Sequence, residues 1–507
     1  MPSYESSYPP NLYHASRYRS SHKESGIFAS LGSLSISRIR LLAVRLFTLT
    51  NVLCVIWGYT LHWGERRVIR NAIRSCDWER WERWPEGATP ERVVLVADPQ
   101  LVDGHTYPGR NSLLLSLTEF YVDMYMHRAW EATEDILASE ATIFLGDLFD
   151  GGREWDHDTW LDEYYRFQKI FPARAGKLTL TDVAGNHDIG FGDTVVIEAL
   201  NWFKAYFGEP NRQIDIGNHT FVILDTISMM NTNDSTVHNP PNHFFDKVSG
   251  DIANLSYPSL PRILLTHVPL FRAADARCGP KREGNPSLPI AQGYQFQTVI
   301  SAELSSEILN KIQPIAIFSG DDHDACKHIH TISEGARASV EYTVKTFSIA
   351  MGVSYPGIEL ISLWNPSKGE PIEQGTIQTK LCLLPSQFDI FRTYFKTLMF
   401  TVIAITYSTW SSWKSPSKTW KPGLDFLSGG GPETPPKLRS MYKDKSYRTN
   451  ISTAFSPSVI LYKIHRSRWV SKICGRPDTF RRLFLGKIAK VGAVAISIYL
   501  ILIIRQI

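Results

Sequence analysis

Residues 141–152 read ATIFLGDLFDGG, an apolar run that stops at Gly-Asp and ends in two glycines. A short apolar run bounded by turn residues is typical of a strand that is buried on both faces of a sheet. Two acids, Asp147 and Asp150, come directly after the predicted strand. Open α/β sheets bind their ligands at the carboxyl ends of strands, so this stretch predicts an α/β domain with acidic groups at its ligand-binding edge.

Four other stretches repeat the pattern of an apolar run followed by carboxylate, amide or imidazole groups. Taken singly, such a stretch is more often a capped turn than a metal site. Five of them in one domain predict a dinuclear metal site, and their mixed oxygen and imidazole ligands suit Mn²⁺, Fe or Zn²⁺ better than Ca²⁺. The four are ERVVLVADPQ at 91–100, LTLTDVAGNHDIG at 178–190, RILLTHVPLF at 262–271 and IAIFSGDDHD at 315–324.

The order of these motifs, D-x-[HQ], GDxxD, GNH[DE], H and GHxH, resembles the signature of the calcineurin-like metallophosphoesterases over roughly residues 92–330. The strings VADPQLVDGHTYPGR, FLGDLFDGG, GNHDIGFG and SGDDHDAC resemble a narrower group. That group contains the membrane-anchored fungal cell-division-cycle metallophosphoesterases and the animal enzymes that remodel glycosylphosphatidylinositol (GPI) anchors. The resemblance implies an α/β fold, the calcineurin-like metallophosphoesterase αββα sandwich, with N-terminal and C-terminal transmembrane helices.

The resemblance also implies which residues bind the two divalent ions. Each of these ligands lies in one of the five motifs, and a carboxylate with two oxygens suits the bridging position. The expected ligands are Asp98, Gln100 and His323 at the first ion, Asn186, His267 and Asp321 at the second ion, and Asp147 between the two.

Two further residues are implied as catalytic. His187 would lie near the leaving oxygen as general acid or electrostatic stabiliser. Asp150 would accept a hydrogen bond from the ring of His187 and fix its tautomer. The two ions would polarise the phosphate and lower the pKa of a bound water, and Mn²⁺ is the ion expected from the family.

Two positions depart from the common family pattern. Gln100 stands where a histidine is usual, and Asp321 replaces the first histidine of GHxH. Exchanging imidazole for carboxylate adds negative charge, which favours a harder ion such as Mn²⁺ over Zn²⁺. The neighbouring Asp322 could compete with Asp321 for the second ion.

Four basic side chains near the motifs are candidates for substrate binding. Arginines in this position could contact a phosphate or equally be surface or packing side chains, and histidines beside metal motifs could contact substrate, although such histidines more often cap or pack. The candidates are Arg110, Arg153, His105 and His330.

Three apolar runs predict membrane-spanning helices. At about 1.5 Å per residue, the run at 41–63 can cross a hydrocarbon core of about 30 Å. It starts too late and is too long for a cleaved signal peptide, so we interpret it as a signal anchor rather than a buried core helix. The second run is 394–413. The third, 483–504, is predicted to span, with an interfacial helix as the alternative.

The rest of the chain divides into three parts by composition. Residues 1–40 lack apolar periodicity and are predicted to be a disordered tail. Residues 88–388 have the size of one large α/β domain, the metallophosphoesterase domain. Residues 414–482 are predicted to be a flexible basic loop on the cytoplasmic face, since residues 411–480 hold 13 Lys and Arg against 4 Asp and Glu.

Sequence features also bear on which side of the membrane the domain faces. The N-x-[ST] triplets at Asn218, Asn233 and Asn254 fit a domain in the lumen. The arginines do not follow the positive-inside rule cleanly, because residues 64–83 hold six of them against five Lys and Arg in residues 1–40. We expect a lumenal catalytic domain in the membrane of the endoplasmic reticulum and/or the Golgi.

Composition and cysteine usage exclude several classes. The 507 residues are 43% hydrophobic and 21% charged, which is ordinary for a globular protein, and the net charge of +4 does not indicate nucleic-acid binding. The basic excess lies outside the domain, which disfavours a nuclease. The spacing of the six cysteines predicts no structural zinc and no disulfide framework. It leaves open an isolated pair among Cys278, Cys326 and Cys382.

The resemblance implies that the enzyme removes an ethanolamine-phosphate side branch from a mannose of the GPI glycan. The expected partners are therefore GPI-anchored proteins or the GPI glycan itself, and membrane helices would hold the active site near them. The alternatives are a phosphoesterase that acts on another lumenal phosphate ester and a non-catalytic membrane scaffold that keeps the fold. Retention of His187 and Asp147 favours an enzyme.

Overall fold

The computed structural model describes residues 47–253, 260–332, 337–366, 375–414 and 480–504. The predicted tail at 1–40 lies outside these residues. So does the predicted basic loop at 414–482, apart from its two ends.

Two mixed sheets form the centre of the domain. The strands of the first sheet are β1 (Glu91–Val96), β2 (Ala141–Phe144), β3 (Leu178–Leu180), β12 (Gly357–Leu363) and β13 (Ile377–Leu383). Those of the second are β4 (Arg212–Ile216), β5 (His219–Ile223), β6 (Arg262–Leu265), β9 (Ala316–Ser319), β10 (Cys326–Thr331) and β11 (Ala338–Thr343). A two-stranded hairpin is formed by β7 (Gln292–Gly293) and β8 (Phe296–Gln297). The strand orders are β13-β12-β1-β2-β3 and β10-β11-β9-β6-β5-β4.

The helices connect these strands and extend beyond them. They are α1 (Leu49–His62), α2 (Val68–Arg74), α3 (Ser112–Leu137), α4 (His157–Ile170), α5 (Asn186–Ile189), α6 (Ile197–Tyr206), α7 (Thr226–Met229), α8 (Ser235–Ala253), α9 (Ala302–Ile312), α10 (Gln387–Lys414) and α11 (Phe480–Ile504). A π-helical stretch, Trp63–Arg67, joins α1 to α2.

The sheets are buried on both faces, as the continuous apolar runs predict. Successive side chains of a strand point to opposite faces, and β1 shows this clearly. Val93 lies in a core cluster that includes Ile263 of the second sheet, so this face packs sheet on sheet. Val94 lies in a second cluster that includes Trp130 of α3, so the other face packs against helices. The layering agrees with the sandwich that the resemblance implied.

Helices α1, α10 and α11 pack together beside the domain around the buried Leu53, Ile405 and Val491. Within the described part of the chain, α11 is the one helix long and apolar enough to cross a membrane by length and composition. Helix α1 has 14 residues in the described part of the chain, and α10 is longer but less apolar. The expected spans at 41–63 and 394–413 therefore stay predictions.

Two disulfides correct the interpretation of the cysteines. Cys278 bonds to Cys326, a pair that the sequence left open. Cys76 bonds to Cys382 across 306 positions, a pairing that scattered spacing did not predict. The second bond attaches the segment after α2 to β13, so it ties the helical N-terminal region to the edge of the first sheet.

Removing the long-range disulfide should destabilise the domain. In the full chain, the double substitution Cys76→Ala and Cys382→Ala should lower the free energy of unfolding by roughly 2–5 kcal/mol, because the unfolded chain loses a cross-link that closes a long loop. Denaturant unfolding followed by circular dichroism measures this change. Cys54→Ala is the matched control, since Cys54 is a free cysteine. Equal stability of the double variant and the control would contradict the prediction.

Candidate metal centre

The polar strand ends meet at one edge of the sandwich. Asp98 follows β1, Asp147 follows β2, and His267 follows β6 of the other sheet. One ligand atom from each of these three buried residues lies within 4.8 Å of the other two. Two carboxylates from one sheet and an imidazole from the other therefore form a cluster that could hold a metal ion.

His267 lies at the centre of this cluster. Its Nδ1 is 2.7 Å from the carbonyl oxygen of Leu145, so Nδ1 carries the proton and donates it there. The other ring nitrogen, Nε2, faces the acids, at 3.3 Å from Asp147 Oδ1 and 3.8 Å from Asp321 Oδ1. The side-chain oxygen of Asn186 is 3.2 Å away. A backbone carbonyl that fixes the tautomer is the usual support of a metal-binding histidine.

At this edge of the sandwich, two buried side-chain oxygens of described residues have no hydrogen-bond partner. These are Oδ2 of Asp98 and Oε1 of Gln100. The amide nitrogen of Gln100 donates to Asp150 Oδ1 at 2.7 Å, so its oxygen is left without a donor. Buried polar atoms are nearly always paired, and hard oxygens beside an imidazole suit a divalent ion. The residues present therefore fit a metal site.

The pKa values of the acids reflect their burial first and the nearby charges second. Burial raises the pKa of Asp98 well above its usual range, and the nearby Asp147 adds to the effect. Burial likewise raises the pKa of Asp321 to about 7. Burial opposes ionisation of Asp147 too, but His267 and His187 outweigh it and lower the pKa of that acid. A cation at this place would remove the need to protonate Asp98 and Asp321.

Backbone conformation at the site is unusual for non-glycine residues. Positive φ angles are uncommon outside glycine and cost on the order of 1–3 kcal/mol each. Nine non-glycine residues in the described chain have them, and five of the nine are expected ligands. The five are Asp98 (47°), Gln100 (41°), Asp147 (49°), Asp321 (66°) and His323 (64°). The strain is thus concentrated where the side chains must converge.

The glycine of the Gly-Asn-His motif is required by close approach. A Cβ atom on Gly185 would lie 2.1 Å from Oδ1 of Asp147 and 2.2 Å from its backbone nitrogen. This contact lets the backbone N–H of His187 donate to Asp147 Oδ1 at 2.8 Å. The GDxxD and GNH motifs therefore pack against each other through a glycine.

The ring of His187 is held by Asp150. Its Nδ1 is 2.7 Å from the Asp150 carbonyl oxygen and 3.1 Å from Asp150 Oδ1. The other carboxylate oxygen accepts the Thr106 hydroxyl at 2.5 Å. Burial alone would lower the pKa of His187, but Asp147 and Asp150 raise it to about 9. With Nδ1 so occupied, a protonated ring has Nε2–H to offer as a proton donor.

The structure distinguishes the two adjacent acids of the last motif. Asp322 pairs with Arg282: its Oδ1 accepts from Nη2 at 3.0 Å, and its Oδ2 accepts from Nη1. Asp321 instead lies beside His267, and its backbone N–H donates to Asp98 Oδ1 at 3.0 Å. Asp322 is thus paired with an arginine, whereas Asp321 faces His267, so the geometry favours Asp321 over Asp322 as a ligand.

His323 is placed in the same loop. Burial lowers the pKa of His323 to about 4, so its imidazole is neutral at neutral pH. Neutral imidazole is the form that binds metals. Its state is therefore compatible with the ligand role that the resemblance implied.

Two of the four substrate-binding candidates lie in loops that also carry residues of the site. Arg153 donates from Nη1 to the carbonyl oxygen of Asn186 at 2.8 Å, and from its backbone nitrogen to His187 at 3.1 Å. His105 contacts Asp103 at 3.2 Å, in the loop that also carries Thr106.

The other two candidates are engaged elsewhere. Arg110 lies over the ring of Tyr107, 3.4 Å from its centroid, and donates to Thr118. His330 is buried, with Nε2 2.6 Å from Glu341. The expectation that His330 contacts substrate is corrected, because this side chain is buried and hydrogen-bonded to Glu341 of the neighbouring strand β11.

Sequence reasoning missed residues that position the ligands. Asp188 accepts the backbone N–H groups of Leu148, Phe149 and Gly185, at 2.9 to 3.1 Å, and so joins two motifs. The carbonyl oxygen of Gln295 accepts the Asn186 amide at 3.1 Å. Asp188 stands inside a recognised motif and could have been found, whereas Gln295 lies over a hundred positions away with no local signal.

The paired acids provide a matched test of the ligand set. Asp321→Ala should weaken metal binding at least about 10–100-fold, the loss that follows even when a supporting hydrogen bond of a ligand is removed. Asp322→Ala should keep it, because Asp322 is committed to Arg282. Calorimetric titration of the metal-depleted full chain with Mn²⁺ measures both. Loss of binding in Asp322→Ala alone would reverse the assignment.

Comparison with known proteins agrees with this geometry. The family model of the calcineurin-like phosphoesterases matches residues 91–325. The chain is 43% identical over 366 residues to cell division control protein 1 of Saccharomyces cerevisiae, covering 70% of this chain and 74% of that protein. It is 26% identical over 355 residues to metallophosphoesterase 1 of Rattus norvegicus, covering 64% and 81%. The Caenorhabditis elegans homologue of metallophosphoesterase 1 is 26% identical over 323 residues, covering 62% and 80%. The chain therefore belongs to the calcineurin-like phosphoesterase family and is a metal-dependent phosphoesterase.

Proposed function

We propose that this protein is a two-metal phosphodiesterase, with Mn²⁺ as its ion, that removes an ethanolamine-phosphate side branch from a mannose of the GPI-anchor glycan. It would act in the lumen of the endoplasmic reticulum or Golgi. The observation that carries the phosphoesterase chemistry is the buried cluster of Asp98, Asp147 and His267 beside the proton donor His187. The substrate rests on the likeness of the motif strings to the GPI-remodelling group, together with the apolar helix α11.

The metal-binding residues define where the reacting phosphate must lie. Divalent ions, when bound, would polarise the phosphate oxygens and lower the pKa of a bound water, so that hydroxide would be available at neutral pH. The candidates to hold them are the cluster of three together with the unpaired oxygen of Gln100. The further candidates, from both sheets, are Asn186, Asp321 and His323.

The chain's own groups then handle the proton. His187 is protonated at neutral pH because two carboxylates raise its pKa, so it can donate to the leaving oxygen. Asp150 orients the ring through Nδ1, and Thr106 and Gln100 in turn hold Asp150. This support fixes the donor in one tautomer. A scaffold without catalytic activity would not require a histidine whose tautomer is fixed.

The role of His187 can be tested on a water-soluble aryl phosphodiester. His187→Ala should lower kcat by roughly 10²–10⁴-fold, since a proton donor in the transition state is lost. The full chain, assayed with bis(p-nitrophenyl) phosphate and Mn²⁺, gives the rate. Metal content measured by mass spectrometry should not change. His157→Ala, a half-exposed histidine on α4, is the control and should keep wild-type activity.

Two results would contradict the proposal of an enzyme. One is a wild-type protein that does not turn over with any divalent ion. The other is a His187→Ala variant with unchanged kcat.

Chelation with EDTA should abolish turnover, and Mn²⁺ should restore it.

The GPI substrate needs a separate experiment in cells. Loss of the protein should leave GPI glycans with one additional ethanolamine phosphate on a mannose, detectable by mass spectrometry of released anchors. Cells that express His187→Ala should show the same glycans, and cells that express His157→Ala should not. Unchanged glycans would remove this substrate while leaving the phosphodiester result intact.

A further inference from the structure

An apolar cavity lies between the helices beside the domain, away from the metal cluster. Its volume is about 400 Å³, within the size range of small-molecule pockets. Helices α1, α10 and α11 supply most of its wall, and α3 of the catalytic domain supplies Tyr121. Among the lining residues are Trp57, Leu61, Leu398, Val491 and Ala495.

Polar groups on the wall are occupied by protein partners. Such pairing leaves the aromatic faces and aliphatic carbons to meet whatever fills the space, and disfavours water, which needs two to four polar partners. The pairs are Trp57 Nε1 with Thr401 Oγ1 at 3.0 Å, Gln387 Nε2 with Tyr121 Oη at 2.8 Å, and Tyr394 Oη with Glu65 Oε1 at 2.5 Å.

The setting of the cavity determines which apolar occupant is available. Helix α11, which is apolar enough to cross a membrane, contributes Ile488, Gly492 and Ile496 to the wall. The cavity would therefore lie at the depth of the lipid chains, where water is absent. An empty space there would leave its lining without partner atoms, whereas a lipid chain would restore close packing.

We propose that this cavity is a lipid-binding site that holds an acyl chain of a bilayer phospholipid. The bound chain fills the junction between the membrane helices and the catalytic domain. The proposal rests on the proposed function at a membrane and on α11 as a membrane-spanning helix.

Exposed apolar residues extend this lipid-facing surface towards the active site. Leu113, Leu114 and Leu117 of α3 are 71%, 54% and 55% exposed. They lie one and two turns before Tyr121, on the same face of the helix. Helix α3 begins just after the loop whose Thr106 bonds to Asp150. Lipid contact at the cavity and along this face would hold the catalytic edge at the membrane surface, within reach of a lipid-anchored substrate.

Two glycines of α11 provide a matched test. A Cβ atom added at Gly492 or at Gly486 meets no described atom within 4 Å, so both positions accept a side chain. Gly492 lines the cavity and Gly486 does not. Gly492→Leu should fill the space and weaken binding of the lipid chain by about tenfold or more, whereas Gly486→Leu should bind like the wild type.

The measurement is native mass spectrometry of the full chain in mild detergent, titrated with dioleoylphosphatidylcholine after delipidation. The wild type should retain one lipid at low lipid concentration. Wild-type protein without a retained lipid would overturn the proposal. Equal binding in Gly492→Leu and the wild type would overturn it too, and so would equal loss in both glycine variants.

A second matched pair covers the case in which Gly492→Leu does not fold. Ala495→Phe places a ring in the cavity, and Ala493→Phe places it on an exposed position of the same helix turn. The first should lose the lipid and the second should keep it. Circular dichroism and Mn²⁺ binding check that each variant is folded. Because neither requires turnover, failure of the lipid site and failure of the proposed enzymatic function give different results.

Discussion

The structure depends on the burial of several carboxylates at the edge where two sheets meet. Asp98 and Asp147 come from the first sheet, and Asp321 comes from the second. Burial of His267 opposes its protonation, but these three acids outweigh that effect and raise the pKa of His267 well above its usual range. Buried like charges repel strongly in a medium of low dielectric constant, so the arrangement requires either protons or a cation. A divalent ion bound here would also join the two sheets, which makes metal binding and folding a linked equilibrium.

The same constraint explains the supports around the cluster. Asp188 and Gly185 hold the GDxxD and GNH motifs against each other, and Arg282 forms an ion pair with Asp322. Positive φ angles at five expected ligands are stable because the surrounding sandwich fixes the loops. The position of His187 depends on these supports, since its backbone bonds to Asp147 and its ring to Asp150.

Buried polar contacts and a disulfide attach the helices beside the domain to it. Glu65, between α1 and α2, forms a buried ion pair with Arg128 of α3 and accepts the hydroxyl of Tyr394. The Cys76–Cys382 disulfide fixes the same region to the first sheet. The catalytic domain is thus connected to its helices at several points, so that its active edge has a defined direction relative to α11.

The local sequence determined the strands and the polar side chains that stand at their ends. Runs such as ATIFLGD predict a buried strand, because burial on two faces requires apolar residues. They also predict the acid at the end of the strand, where α/β sheets bind ligands. Local signals could not give the Cys76–Cys382 bond, the burial of His330 against Glu341, the Arg282–Asp322 pair or the cavity between the helices. Each joins segments distant in the chain or on different strands, and such contacts form only when the sheets and helices pack.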